Sequence, residues 1–442
     1  MIRDILLALA LLFSFIVTAQ NIDPKKLDQF IDHIEANDQG IGAISIFQKG
    51  KEVYKRSFGQ KALPGLKWNA HTKYQFGSVT KVFTATLIWK LIEQGKLSLT
   101  DKLADFYPQL PNAGKITVKN LLEHTSGIKR DYSLKPENSN WLREGLVSDE
   151  AIIAEIQRQG VDFEPGDSAA YSNSAFYLLK NIIEKKSGQS YGGFLKQQII
   201  RPNRLKNLQS ADMNPKNTFL SYAFDYAADT WQVKEDYVYR NILGVGDIAA
   251  TPTDMNRFFD HLFHSKIVKA ETLAQMIPAK NEPYGRNLYE LNFYKKVLYG
   301  HGGDTRGTHS LVAYDPETEM SLAVSINGTR YPHNDFYTDI LRIIYTGEVR
   351  LPYFISTAEA KNYAGIYVNK EAVLRLNVFV HKDWGLMCED VVGESMYPLY
   401  PYAPGKFRFD ELDMKMEFKN DQLFFTQAGV DLILTKEPTA NK

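Results

Sequence analysis

In the stretch "FGSVTKVFTA" (residues 76–85), Ser78 stands three positions before Lys81 at the mouth of an apolar-periodic segment. A serine hydroxyl is a weak nucleophile until a base takes its proton. Residues i and i+3 share a helix face, so a lysine at this spacing reaches the hydroxyl. The positive end of the helix steadies developing negative charge, and burial beside other cations drives a lysine toward its neutral, basic form. The spacing alone also suits an N-cap serine followed by a surface lysine. Ser126 and Lys129 repeat it, but Gly127 intervenes and "TSGIKRDYS" has no helical period, so nothing turns Lys129 toward Ser126.

Two further stretches carry polar groups in suggestive settings. "FEPGDSAAYSNSAFYLLK" contains Tyr171-Ser172-Asn173, and "YGHGGDTRGTHSLVAYDP" contains His301-Gly302-Gly303. Taken singly, Ser172 or Asn173 reads as a helix cap, Tyr171 as core, and His301 as part of a glycine-rich turn before a strand. The nine histidines are scattered; His261 and His264 in "DHLFH" have helical spacing but no third ligand in an obvious place, so no metal is expected. "GHGGDTRG" lacks the lysine and spacing of a phosphate loop, and no other cofactor is indicated.

In this order, the three motifs resemble those of the serine penicillin-recognising hydrolases, and more narrowly the class C β-lactamase-related group with its DD-carboxypeptidases, D-aminopeptidases and esterases. That group carries S-x-x-K, then Y-x-N, then K-T-G or H-x-G. The flanks "LLEHTSGI" (121–128), "FEPGDSAAYSN" (163–173) and "GVGDIAATPTDMNRF" (244–258) are similar to stretches typical of it, and the resemblance spans about residues 25 to 347. It implies that Ser78 is the acyl-forming nucleophile and that Lys81 and Tyr171 share its proton. Asn173 would hold Lys81 and bind the substrate amide. His301 would stand where many members have lysine, hydrogen-bonded toward Tyr171 and charged only below its pKa. Gly303 and Asp304 would flank the substrate, with the backbone N–H groups of Ser78 and Asp304 as oxyanion hole.

Asp304 departs from the group, which usually has a small residue there. A carboxylate beside the carbonyl site repels the anionic end of a D-Ala-D-Ala peptide or a β-lactam. Arg306, two residues on, is expected either to offset it or to face away. Neutral esters, or amides bearing a free amine, are therefore expected as substrates. No glutamate motif for a separate deacylation water is legible, so Tyr171 would serve both half-reactions.

The elements that must position these residues follow from periodicity. "DPKKLDQFIDHIEAN" has helical spacing, and "GAISIFQKGKEVYKRSFG" reads as a hairpin about a Lys-Gly turn. A helix runs from Ser78 to about Gly95 through Val79, Val82, Phe83, Leu87, Leu91 and Ile92. Residues 100 to 270 are mostly helix and loop. "THSLVAYDPETEMSLAVSING" reads as two strands, and "DFYTDILRIIYTG" as a closing helix. Strands at both ends with helices between predict an α/β fold of the β-lactamase/transpeptidase-like kind: one antiparallel sheet flanked by helices, with an inserted helical lobe. From about residue 351, short alternating runs predict a small C-terminal antiparallel β barrel or sandwich. The expected division is 1–19, 20–350 and 351–442.

The chain has 442 residues, with 52 basic and 52 acidic side chains, so no global field points to nucleic acid. "MIRDILLALALLFSFIVTAQ" reads as a secretory leader cleaved after Ala19, with no membrane span in the mature chain. The expected location is the bacterial envelope, and the expected partner a small molecule or peptide, peptidoglycan fragments included. The single cysteine, Cys388, excludes an internal disulfide and reads as a buried small hydrophobe. A secreted serine hydrolase working through an acyl-enzyme is the leading reading; a carboxylesterase and a non-catalytic penicillin-binding sensor are the alternatives.

Overall fold

The computed structural model describes residues 22–63, 65–132, 141–279 and 284–438; the expected leader lies outside them. A six-stranded antiparallel sheet carries the larger part of the chain. Its strands are β1 (Gly40–Gln48), β2 (Lys51–Phe58), β3 (Tyr289–Phe293), β4 (Lys296–Asp304), β5 (His309–Asp315) and β6 (Met320–Thr329), in the order β2-β1-β6-β5-β4-β3. Lys49 and Gly50 both adopt positive φ, the geometry of a tight hairpin turn whose twist matches its strands. Ile44 of β1 faces Val324 of β6, so the two ends of this segment meet at the middle of one sheet.

Five helices frame it: α1 (Pro24–Ala36), α2 (Thr80–Glu93), α3 (Asn173–Ser187), α4 (Pro252–Phe263) and α5 (His333–Thr346). Asp23 caps α1 and a proline opens it; its apolar stripe, Leu27, Phe30, Ile31 and Ile34, is wholly buried. With α5 it covers one face of the sheet, Phe30 and Ile34 packing among Ile44, Ile46, Leu322, Val324 and Ile340. The other face meets the helical lobe. Here α2 departs from its sequence reading: every residue from Thr80 to Trp89 is buried, not one stripe. It is the central helix of the lobe, with Phe83 stacked on Phe258 of α4 at 3.9 Å between ring centroids. Truncating such a ring costs about 3–5 kcal/mol. A short hairpin, Tyr222–Asp225 with Thr230–Val233, lies within the stretch expected to be mostly helix and loop.

The C-terminal strands form one nine-stranded antiparallel sheet. Its outermost members, Ser395–Pro398 and Tyr400–Ala403, are separated in the chain by Leu399 alone, so the sheet curls into a nearly closed barrel. Leu376, Val378, Phe407, Met416, Leu423 and Leu434 fill it. Cys388 is fully buried there, burial pushing its thiol up to about 12. The barrel is tied to the part that carries the six-stranded sheet through Tyr226 N–H to the Lys382 carbonyl at 2.7 Å and Arg408 with Asp335 at 3.3 Å. No helix among the described residues is long and apolar enough to cross a membrane.

Candidate active site

Ser78 sits in a single 3-10 turn, Gly77–Val79, that feeds directly into α2. Gly77 has φ +48°, and a Cβ there would fall 2.9 Å from the Asp304 backbone nitrogen. A Cβ on Gly303 would fall 2.0 Å from the Phe76 carbonyl oxygen and 2.9 Å from the Ser78 nitrogen. The serine turn and the end of β4 are thus pressed backbone to backbone, which only glycine at these two places permits. The Ser310 hydroxyl fastens the contact, donating to the Phe76 carbonyl at 2.9 Å. The N–H groups of Ser78 and Asp304 consequently lie on the two sides of one junction.

The Lys81 amine is 2.9 Å from Ser78 Oγ and donates to the Val245 carbonyl at 2.8 Å. Its side chain is fully buried, and burial lowers its pKa to about 7, with Asp131 acting weakly in the opposite sense. At neutral pH a large share of the amine therefore carries a free lone pair. The Tyr171 hydroxyl donates to Ser78 Oγ at 2.8 Å, and burial drives its pKa upward, so the phenol stays protonated. The lysine can accept a proton and the tyrosine can give one; the serine oxygen lies between them.

The remaining expected residues are placed less simply. The Asn173 amide does not reach Lys81: it donates to Asp131 at 3.2 Å, and its buried Oδ1 has no hydrogen-bond partner among the described residues. The Val245 carbonyl occupies the holding role expected of it. His301 makes no hydrogen bond to Tyr171; their ring centroids are 6.4 Å apart, and His301 Nδ1 meets the Gly302 carbonyl instead. Burial, reinforced by the Lys81 charge, lowers His301 to about 3, so it is a neutral imidazole across the physiological range. Asp304 pairs with His309 at 2.6 Å. Partial desolvation opposes ionisation of the largely exposed Asp304 side chain, but this hydrogen bond holds its carboxyl below the usual range. Arg306 does not offset it: β4 has ended, and Arg306 is exposed in the following turn.

Several positioning groups lay within the flanking motifs without being singled out. Ser172 N–H donates to His124 Nδ1 at 3.0 Å, and the His124 ring packs 4.7 Å from that of Tyr171, fixing the phenol from behind. Asp247 is buried and accepts from Gly244 N–H at 2.7 Å, Ser210 Oγ at 2.5 Å and Ala211 N–H at 3.0 Å. It thereby shapes the turn that aims the Val245 carbonyl at Lys81. Ser126 and Lys129 do not form a pair: Ser126 Oγ accepts from Ile128 N–H, and Lys129 lies 3.8 Å from Asp162.

A sheet of this order, a helical lobe inserted between its halves and a serine turn at their junction define the class of β-lactamase-fold serine hydrolases. The chain belongs to the Beta-lactamase family, whose profile matches residues 27–345. Among curated proteins it is similar to the teichoic acid D-alanine hydrolase of Staphylococcus aureus, 24% identical over 327 residues, covering 72% of this chain and 79% of that one. Its fold is shared with an octameric penicillin-binding protein homologue from Pyrococcus abyssi (TM-score 0.68, 23% identity, 92% of this chain and 99% of that one). It is shared as well with the D-amino acid amidase of Ochrobactrum anthropi SV3, solved with L-phenylalanine amide (TM-score 0.66, 22% identity, 73% and 98%).

Proposed function

We propose that the protein is a secreted serine hydrolase that cleaves D-aminoacyl amides or esters of cell-envelope origin through an acyl-enzyme on Ser78. The observation that carries the reading is the convergence on Ser78 Oγ of a buried amine at 2.9 Å and a buried phenol at 2.8 Å. Neutral Lys81 takes the Ser78 proton as Oγ attacks the carbonyl. The resulting oxyanion is received by the N–H groups of Ser78 and Asp304. The leaving group departs with the Tyr171 proton, which Lys81 replaces. Water then adds to the acyl-enzyme, giving its proton to the same pair, and Ser78 leaves reprotonated. Asn173 and Gly303 border the substrate, and neutral His301 supplies shape rather than charge.

Asp304 favours an acyl group with a free ammonium and disfavours one with a carboxylate. The D-alanine hydrolase and D-amino acid amidase names of the relatives support the same substrate class, and the leader-like N-terminus supports secretion. Turnover of D-alanine p-nitroanilide, its N-acetyl derivative, a p-nitrophenyl ester, a D-Ala-D-Ala peptide and nitrocefin tests this directly. The free amine and the ester should turn over, and Ser78→Ala should abolish both. Preference for the ester alone would favour a carboxylesterase; labelling by a fluorescent penicillin without turnover of any substrate would favour a sensor. Asp304→Asn should narrow the gap between the free and acetylated amines, and an unchanged gap would remove Asp304 from substrate selection.

A further inference from the structure

Among the described residues, one group of three metal-type side chains lies beside the serine turn, and the chemistry above leaves its two histidines without a role: Asp304 at the end of β4, His309 at the start of β5 and His333 opening α5. Asp304 and His309 face each other across the β4–β5 ladder. His309 stacks on His333, with centroids 4.1 Å apart and planes 6° from parallel. We propose that these three side chains bind a divalent transition metal ion, Zn2+ foremost, at the rim of the active site.

Two imidazole nitrogens and one carboxylate oxygen suit zinc, nickel or copper, whereas magnesium and calcium prefer an all-oxygen shell. Three protein ligands leave a fourth position for water or substrate. Ligand atoms around tetrahedral zinc stand about 3.3 Å apart, given bonds of about 2.0–2.1 Å. Here the closest pair is 2.6 Å apart and all the ligand atoms lie within 4.8 Å of one another, so modest side-chain rotations bring them to that spacing. The three residues are anchored on a strand end, the facing strand and a helix start. The His309 and Asp304 side chains are 29% and 69% exposed, which gives an ion a way in. On binding, the ion replaces the proton shared by His309 and Asp304 and neutralises the carboxylate.

This site is additional to the proposed hydrolase activity, and its binding test does not depend on that activity. Full-length protein is titrated with Zn2+ against a chromophoric chelator, and separately with Co2+ while ligand-field absorption is followed. One equivalent should bind, with intensified Co2+ bands that mark a low-symmetry, nitrogen-containing site. His309→Ala and His333→Ala should each weaken binding about tenfold or more. Ser78→Ala should bind as the unaltered chain does. His333→Gln, which keeps more of the side-chain volume, guards against an alanine variant that fails to fold. Binding that is equal in the unaltered chain and the histidine variants, or no stoichiometric binding at all, overturns the proposal. If the hydrolase is active, Zn2+ should also raise KM for D-alanine p-nitroanilide more than for an uncharged ester, since the ion competes with the substrate ammonium for Asp304.

Discussion

Replacing Lys81 by methionine separates what the amine does for chemistry from what its burial does to the fold. Burial takes this amine from 10.5 to about 7, an interval of 3.5 pH units (10.5 − 7). At about 1.36 kcal/mol per unit, the folded state is penalised by roughly 5 kcal/mol below pH 7, where both states hold the proton, and by about 4 kcal/mol at pH 7. Between pH 7 and 10.5 the folded chain has released a proton that the unfolded chain still binds, so stability rises with pH and the penalty fades to about 1 kcal/mol at pH 10. Methionine fills nearly the same volume without this penalty, but it leaves the Val245 carbonyl without its donor, at a cost of about 1–3 kcal/mol. Lys81→Met should therefore be inactive, yet more stable at pH 7 by about 1–3 kcal/mol, and the advantage should vanish or reverse by pH 10. Urea denaturation of the full chain at pH 6, 7 and 10, followed by tryptophan fluorescence, measures this. A variant less stable than the parent at pH 7, or a difference that stays flat across the series, would refute the argument that the lysine is held in place against its own solvation.

The same depressed pKa sets an activity profile: kcat/KM for an uncharged ester should fall as pH drops through about 7 and Lys81 gains its proton, with no second step from His301, which is held near 3. Stopped-flow acylation rates between pH 5.5 and 8 give the answer, and a flat profile counts against Lys81 as base. Tyr171→Phe should lower kcat by about 10²–10⁴-fold with little change in the thermal midpoint. Gly303→Ala should cost about 10²-fold or more in kcat, because its Cβ would meet the Phe76 carbonyl at 2.0 Å and push β4 from the serine; activity near the parent's would show that the junction tolerates opening. Asp247→Asn turns an amide N–H₂ toward backbone donors, so it should destabilise the chain by about 1–3 kcal/mol and lower kcat through the Val245 turn, both measurable on one purified sample.

Local signals were well preserved in the sequence. The Lys49-Gly50 turn and the helical spacing of α1 are short-range features, and the structure carries each where periodicity and turn chemistry place it. Burial around α2 was less legible, since a helix enclosed on all sides can place threonines inward by bonding them to its own carbonyls, as Thr86 does with Val82. Among the expected site residues, the two that act through a fixed i, i+3 spacing or a long rigid phenol reach Ser78, while Asn173 and His301 point elsewhere. Their orientation depends on partners remote in sequence, and no spacing rule reports those. The Val245 carbonyl is invisible for a further reason: a backbone acceptor leaves no residue-type signature. His309 became meaningful only once the β4–β5 register set it opposite Asp304.

The pairing of β1 with β6 has a consequence for how the molecule is made. Ile44 and Val324 are partners 280 positions apart in the chain (324 − 44), a loop whose closure must precede any reward from the central ladder. A ribosome-bound chain lacking β6 has no means of completing the sheet, so contact order alone should delay folding until nearly the whole of the family-matched segment has emerged. Versions truncated before residue 320 should therefore remain sensitive to protease while the full chain resists it.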